Sequence, residues 1–221
     1  MGLAISVGLL HDLAAHDQEG LAHHRQAFDR LTEALAGEGI DWQEPPATSP
    51  APAPGATCSA GFPYSHLTHL RRASVLAARG EAVTPASACD PEQYERDLDE
   101  VADESSMFSS HLLCHSDSAG YYVPVDFRDP LFLPEESGVA GAGMVGSSVR
   151  LLAELLAFAP AIGVRTEPDG TLSAAEAARL GGARAEHEQP GGGFEAEGYA
   201  WLQLYRACRA SIAGGRAVVF H

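Results

Sequence analysis

The chain concentrates its chemically capable side chains in one short segment, between Met107 and Phe127. The segment holds two histidines, a cysteine, an aspartate and two tyrosines around a predicted turn, namely His111, Cys114, His115, Asp117, Tyr121 and Tyr122. An imidazole near a carboxylate is typical of general acid–base catalysis and of metal binding. No motif here fixes a reaction, so the candidate catalytic residues are named by type alone, as His115, Asp117, Tyr121 and Tyr122.

The conformation of residues 111–116 decides which of these side chains can act together. As a strand, the segment places His111 and His115 on one face roughly 13 Å apart, too far to share a metal ion. His115 and Asp117, about 6 to 7 Å apart at their backbones, are then the useful pair. As a helix, the segment places His111 and His115 one turn apart, where they could bind one ion. We prefer the strand, because the residues around Gly120 resemble a hairpin turn and are followed by a β-rich run.

A second group of histidines supplies further candidate metal ligands. His66 and His69 lie three residues apart on a predicted helix that begins after Pro63. The spacing places both on one side of that helix, where His115, Asp117 or Cys58 could complete a tetrahedral site for zinc or another divalent metal. On the same helix, Arg71 and Arg72 are candidate ligand-binding residues for a carboxylate or a phosphate.

The composition restricts the function classes. The 221 residues carry 30 acidic and 14 basic side chains, for a formal net charge of −16 with histidine neutral. All basic residues are arginine, and the chain lacks lysine and asparagine, which indicates a GC-rich bacterial genome and excludes a lysine Schiff base and a Walker-type lysine. The charge repels nucleic acid and anionic membranes and favours basic partners. We therefore expect a basic protein partner, with a small-molecule ligand as an alternative, and no nucleic acid or membrane.

The strongest charge run extends from Asp90 to Glu104, where eight residues are acidic and Arg96 alone is basic. Its apolar residues recur every three or four positions, which predicts a short helix with one apolar edge and a negative outer face. The candidate partner-binding residues are Asp97, Asp99, Glu100 and Asp103.

Periodicity and turn signals predict a helix-rich α+β fold, with about six helices around a small mixed or antiparallel sheet. We expect a single domain over residues 1–221, with a Pro/Ala-rich surface linker at 44–55 and a Gly-rich loop at 138–146. The N-terminal apolar run is short and lacks a basic region before it, so we predict a cytoplasmic protein.

Three segments together resemble a family of uncharacterised bacterial proteins. They are Gly61–Ser65, then His111–Asp117 with Gly120–Pro124, and Gly146–Leu152. The resemblance covers most of the chain and implies no activity, so it assigns no catalytic residue. In size, acidity and predicted fold, the chain is also similar to immunity proteins of bacterial toxin systems.

The leading functional hypothesis is an acidic cytoplasmic protein, immunity-like or regulatory, that binds a basic protein. The alternative is a metal-dependent enzyme, a hydrolase with a His/Asp site. The third is a small-molecule binding module built on Arg71, Arg72 and the tyrosines.

Overall fold

The structure is a computed structural model that describes residues 2–47, 55–182 and 193–221. Within these residues the fold contains eight α-helices and a six-stranded mixed sheet, which confirms the α+β prediction with two more helices than expected. The strands are β1 (Gly2–Val7), β2 (Cys58–Pro63), β3 (Gly120–Val123), β4 (Leu131–Phe132), β5 (Met144–Ser147) and β6 (Val218–Phe220). The helices are α1 (Leu9–His16), α2 (Gln18–Gly37), α3 (Tyr64–Ala78), α4 (Pro91–Ser105), α5 (His111–Cys114), α6 (Ser148–Phe158), α7 (Ala174–Gly182) and α8 (Glu195–Gly214).

The strands pair in the order β2-β1-β6-β3-β5-β4, and only β3 and β5 run parallel to each other. The first strand, β1, and the last strand, β6, are therefore neighbours near the middle of the sheet, with Ile5 opposite Phe220. On β3, Tyr122 lies opposite Gly146 of β5 and Val218 of β6. Gly146 is needed there, because a Cβ atom at this position would come within 2.2 Å of the Tyr122 ring.

Side chains alternate across the sheet and form two apolar cores, one on each face. On one face, Ile5, Tyr122 and Phe220 pack against α3, α6 and α8, and the buried Trp201 of α8 donates a hydrogen bond to the carbonyl of Leu155 at 2.7 Å. On the other face, Tyr121 and its neighbours pack against α1 and α2. Helix α4 lies outside α3, on the first of these faces, so α2 and α4 occupy opposite sides of the molecule.

The N-terminal residues form these elements for identifiable local reasons. Gly8 has a φ of 85°, a left-handed conformation that suits glycine and turns the chain from β1 into α1. The Asp17 side chain accepts a hydrogen bond from the Gly20 amide at 2.9 Å and caps α2. The helix then buries Leu21, Phe28 and Leu31 at helical spacing, together with Leu35.

Two segments were predicted to be irregular, at 44–55 and at 138–146, and the structure describes the first in part and the second in full. In the predicted linker at 44–55, Glu44 and Ala47 are buried rather than on the surface, and residues 48–54 lie outside the described residues. The Glu44 carboxylate accepts a hydrogen bond from the Ala217 amide at 2.8 Å, which attaches this segment to β6. The Gly-rich segment at 138–146 forms turns and then enters β5 at Met144.

Across the described ranges, no helix is both long and apolar enough to traverse a lipid bilayer.

Candidate functional site

The segment at 111–116 is not a strand, and no hairpin forms around Gly120. Residues 111–114 form the one-turn helix α5, and β3 pairs with β5 and β6 instead of with the preceding residues. The short helix depends on a distant partner. The Glu154 carboxylate accepts hydrogen bonds from the amides of His111 and Leu112 at 2.7 and 3.0 Å, and Ser110 caps the same turn. The less favoured helical alternative is therefore correct for residues 111–114 only, because His115 follows the helix in an extended conformation.

His115 is a core residue. Only 3% of it is exposed, and its ring stacks on Tyr122 with a centroid distance of 4.2 Å and contacts Phe220 at 4.4 Å. Its Nδ1 is hydrogen-bonded to the Ser116 carbonyl at 2.8 Å. Burial lowers the pKa of His115 to about 3, with a smaller contribution from the Arg71 guanidinium. The imidazole is therefore neutral at physiological pH and shielded from solvent, which is a structural environment and not that of a general base.

The predicted catalytic set does not converge. Tyr122 is buried and donates a hydrogen bond to the His111 carbonyl at 2.9 Å, and burial raises the pKa of its phenol. Tyr121 points to the opposite face of the sheet, where its ring lies 5.7 Å from that of Phe28. Asp117 is half exposed and forms an ion pair with Arg71. His115 and Tyr122 therefore stack on each other inside the core, whereas Asp117 pairs with Arg71 and Tyr121 lies on the other face of the sheet, so the four candidates do not form one site.

The candidate ligand-binding residue Arg71 is hydrogen-bonded to the backbone around α5. Its Nε donates to the Leu112 carbonyl at 2.9 Å and its Nη2 to the His115 carbonyl at 2.5 Å, while Nη1 contacts Asp117. Since all three guanidinium nitrogens have a hydrogen-bond partner, Arg71 stabilises the local backbone conformation. The prediction that Arg71 recognises a small anion is corrected accordingly.

The predicted metal ligands also lie apart. The His69 Nδ1 and the Tyr94 hydroxyl are hydrogen-bonded at 2.7 Å, and the His66 ring packs edge-on against Tyr199. Throughout the described part of the chain, His, Cys, Asp and Glu side chains form no group of three or more that could hold a metal ion. The predicted site of His66, His69, His115 and Asp117 is therefore wrong, because each side chain faces a different neighbour.

A buried ion pair joins α3 to α4. Arg72 and Asp97 are 1% and 2% exposed, and Arg72 Nη2 lies 2.6 Å from Asp97 Oδ2. The remaining groups are also satisfied: Arg72 Nη1 donates to the Thr84 carbonyl at 2.8 Å, and Gln93 Nε2 donates to Asp97 Oδ1 at 2.6 Å. These contacts correct two predictions, because Arg72 cannot bind a ligand and Asp97 cannot reach a partner.

The outer surface of α4 is negative, as the charge run indicated. Four exposed carboxylates project from it within an arc of about 80°, since an α-helix advances about 100° per residue. We call Glu92, Glu95, Asp99 and Asp103 the acidic face. Among the described residues, none of these four side chains lies within ion-pair distance of a basic group, although Arg96 is exposed on the same helix.

The flank of this surface is partly neutralised. Arg79, which follows α3, lies 3.5 Å from Glu100 and 3.9 Å from Glu104, and its Nε also donates to Glu81 at 2.8 Å. Glu100, a predicted partner-binding residue, is therefore half-buried and shares its charge with Arg79. Asp99 and Asp103 are the two members of the predicted set that carry an unpaired, exposed charge in this part of the structure.

An apolar patch follows the acidic helix, and the sequence analysis missed it. It consists of Met107, Phe108 and Phe132, which we call the apolar cap, with exposures of 69%, 58% and 50%. The two phenylalanine rings pack edge to face with centroids 5.1 Å apart. The available signal was an apolar pair placed among serines directly after a charged helix, where neither residue continues the apolar edge of α4.

A groove of about 340 Å³ lies nearby, between α3, α6 and the residues before α5. Its walls are mostly apolar, with Glu104 at one side and Glu154 at another, and neither Arg71 nor Arg72 lines it. Glu154 is already occupied by the amides of α5. The groove therefore does not correspond to the predicted small-molecule site.

Comparison of the chain with curated proteins finds no match, and comparison with solved structures finds none either.

A protein-family model does match, over residues 1–220, and its description is "Putative DNA-mimic protein". This finding confirms that one family without an assigned activity covers the chain. It also corrects the expected kind of partner: the family description implies a DNA-binding protein, which fits a basic protein partner but not a small-molecule ligand, and nucleic acid matters as the object imitated. The match spans all but the last residue, and the chain therefore belongs to the DNA-mimic family so described.

Proposed function

We propose that the chain binds a DNA-binding protein in place of DNA, and that the acidic face of α4 is the surface that the partner recognises. The observation that carries this proposal is the row of unpaired, exposed carboxylates on a helix whose opposite side is fixed to the protein by a buried ion pair. Membership of the family supports the first part of the proposal, binding in place of DNA, independently of the surface.

The charge density of this surface supports the comparison with DNA. The four carboxylates of the acidic face lie between Glu92 and Asp103 on one side of α4. With a rise of 1.5 Å per residue, they provide one carboxylate for about every 5.5 Å of helix axis. One strand of B-DNA carries a phosphate for about every 3.4 Å. A basic groove that fits a phosphate strand would therefore meet a row of negative charge on α4, with a wider spacing than that of the phosphates.

The fixed position of α4 also favours recognition. The ion pair between Arg72 and Asp97, together with the hydrogen bond between His69 and Tyr94, holds the helix in one orientation on α3. A charged surface that is already ordered loses little conformational entropy when it binds. The acidic face can therefore present its charges in the same arrangement to each incoming partner.

A competition experiment tests the proposal. A purified DNA-binding protein is loaded with a fluorescently labelled DNA duplex, and the chain is titrated in at low salt while anisotropy reports release of the duplex. We expect release by the wild type, with a steep loss of potency as salt increases, because ions screen the carboxylates. The same titration without the DNA-binding protein controls for direct contact between the chain and the duplex.

The variant that tests the surface neutralises the acidic face, as Glu92→Gln, Glu95→Gln, Asp99→Asn and Asp103→Asn together. Loss of four peripheral charges is expected to reduce potency by about tenfold or more and to flatten the salt dependence. The matched control removes four exposed acids on the side of α2, as Glu19→Gln, Asp29→Asn, Glu33→Gln and Glu38→Gln. If both variants release the duplex as well as the wild type does, the acidic face is not the binding surface.

A further inference from the structure

The apolar cap is exposed and belongs to neither of the two apolar cores that the structure describes. Met107, Phe108 and Phe132 are three of the four large hydrophobic side chains exposed in the described ranges. Phe132 lies on β4, the edge strand, and its ring contacts Phe108 across the surface. Exposed methionine and aromatic side chains that cluster in this way are enriched where proteins bind other proteins.

The backbone conformation of Phe108 also supports a role of the apolar cap in protein binding. Its φ is 53°, a left-handed conformation that bulky residues rarely adopt and that glycine adopts freely. Strained positions of this kind concentrate at functional sites. The residue is 58% exposed, so burial of the ring does not compensate for the conformation. A phenylalanine that is both strained and exposed indicates a use outside the folding of this chain.

The cap is joined directly to the acidic helix. The Ser106 amide donates to the Asp103 carbonyl at 3.1 Å, the Met107 amide to the Glu104 carbonyl at 3.1 Å, and the Phe108 amide to the Ser105 carbonyl at 3.2 Å. These bonds continue the last turn of α4 into the cap. Met107 and Phe108 therefore follow Asp103, the last residue of the acidic face, by about one turn of backbone.

From this arrangement we infer that the partner is a protein that binds single-stranded DNA, with the apolar cap in the place of unstacked bases and the acidic face in the place of the phosphates. The inference rests on the proposed function and narrows its partner class. Proteins that bind single strands combine a basic groove with aromatic side chains on which bases stack. A phenylalanine ring offers such a side chain an aromatic face, and the carboxylates beside it offer the groove its charge.

A protein that imitates duplex DNA would not need the apolar cap. In a duplex the bases are stacked inside and the phosphates lie outside, so a protein that binds the backbone of a duplex meets charge without an exposed aromatic face. In a single strand, charge and aromatic surface are presented side by side. The adjacency of the cap and the acidic face matches the second pattern.

Two parallel titrations test the inference. In one, labelled oligothymidine is bound to a purified single-strand-binding protein with an oligonucleotide-binding fold; in the other, a labelled duplex is bound to a purified histone-like protein. The cap variant combines Phe108→Gly with Phe132→Thr, since glycine accepts the left-handed backbone and threonine suits an edge strand. Ile212→Gln, at the fourth exposed hydrophobic residue, is the matched control. Thermal melting is expected to show the cap variant no less stable than the wild type.

We expect the wild type to release oligothymidine, and the cap variant to need a concentration at least about fivefold higher, since each base that stacks on an aromatic side chain contributes substantially to binding. The control should match the wild type, and duplex release should be the same for all three. Equal release of oligothymidine by the cap variant and the wild type overturns the inference. Release of the duplex alone by the wild type overturns it as well but leaves the proposed function intact, whereas release of neither probe contradicts both.

Discussion

Helices α2 and α4 lie on opposite sides of the sheet, and both are amphipathic, yet they are attached to the protein by different forces. Helix α2 buries four apolar side chains, at Leu21, Phe28, Leu31 and Leu35, and its net charge is −1. Helix α4 buries a single residue, Asp97, and its net charge is −6. An amphipathic pattern therefore explains how α2 stays in place, whereas α4 keeps a highly charged surface because a buried arginine holds it.

The largest expected effect comes from breaking this attachment of α4. Asp97→Ala leaves Arg72 charged and unpaired in the interior, which is expected to reduce the free energy of unfolding by about 3–5 kcal/mol. Chemical denaturation of the variant and the wild type measures the difference. Asp99→Ala, two residues along the same helix but exposed, should change stability by less than about 0.5 kcal/mol. Equal effects of the two substitutions would show that the buried pair does not hold the helix.

Because of His115, in the core on the side of α4, the free energy of unfolding is expected to decrease in acid. Burial lowers the pKa of His115 to about 3 in the folded state, against 6.5 for an exposed histidine, so the unfolded chain binds the proton more readily. Stability from this group is complete above about pH 6.5 and decreases as the pH falls toward 3. Between about pH 7 and pH 4.5 the loss is about 3 kcal/mol. His115→Phe, which keeps a ring between Tyr122 and Phe220, should remove this part of the pH dependence in urea titrations.

Glu44, in the segment packed on the side of α2, is expected to contribute to the free energy of unfolding in the opposite direction as the pH falls. Burial raises the pKa of Glu44 to about 7, from 4.5 for an exposed glutamate, despite the hydrogen bond from Ala217 and the nearby Arg216. The folded state therefore binds the proton more readily, and stability increases as the pH falls from about 7 to 4.5, by about 3 kcal/mol. Glu44→Gln should remove this gain while keeping an acceptor for the Ala217 amide. A pH dependence unchanged by the substitution would show that Glu44 titrates normally.

The smallest expected effect is a gain in stability on removal of charge from α4. Asp99 and Asp103 are one turn apart and repel each other, and Asp103 lies in the last turn, where the helix dipole disfavours a negative charge. Asp99→Asn with Asp103→Asn is expected to raise the free energy of unfolding by about 0.5–1 kcal/mol, measured at low salt, while it weakens partner binding. Asp29→Asn with Glu33→Gln on α2 is the matched pair, and an equal gain there would indicate a general effect of net charge.

Much of the architecture could be predicted because its signals are local. The helix after Pro63 and the acidic helix at 90–104 follow from a proline at a helix entry and from apolar residues at helical spacing, and both correspond to helices of the structure, α3 and α4. Helix α5 could not be predicted in the same way, since its amides are satisfied by Glu154, some 40 residues further along the chain. The preference for a strand there followed local propensity, and a tertiary contact overrode it.

The candidate site was predictable in part, and one error was avoidable. Tyr94, Leu98 and Val101 defined the inner edge of α4, and the same periodicity places Asp97 on that edge instead of on the outer face. The corrections to His66, His69, Arg71 and Arg72 are of another kind. Residue type and helical spacing are compatible with either a ligand site or internal hydrogen bonds, and only the positions of Tyr94, Leu112 and Asp97 distinguish the two.

Because neighbouring carboxylates on α4 repel each other, an increase in ionic strength is expected to raise the stability of this protein and to lower its affinity for a basic partner. Dissolved ions screen that repulsion and so favour the folded helix, but the same screening weakens the attraction of a basic groove. The chain would then be most robust in concentrated electrolyte, where it is least able to retain a partner. A change in the salt content of its surroundings could thus release the partner without unfolding, modifying or degrading the chain.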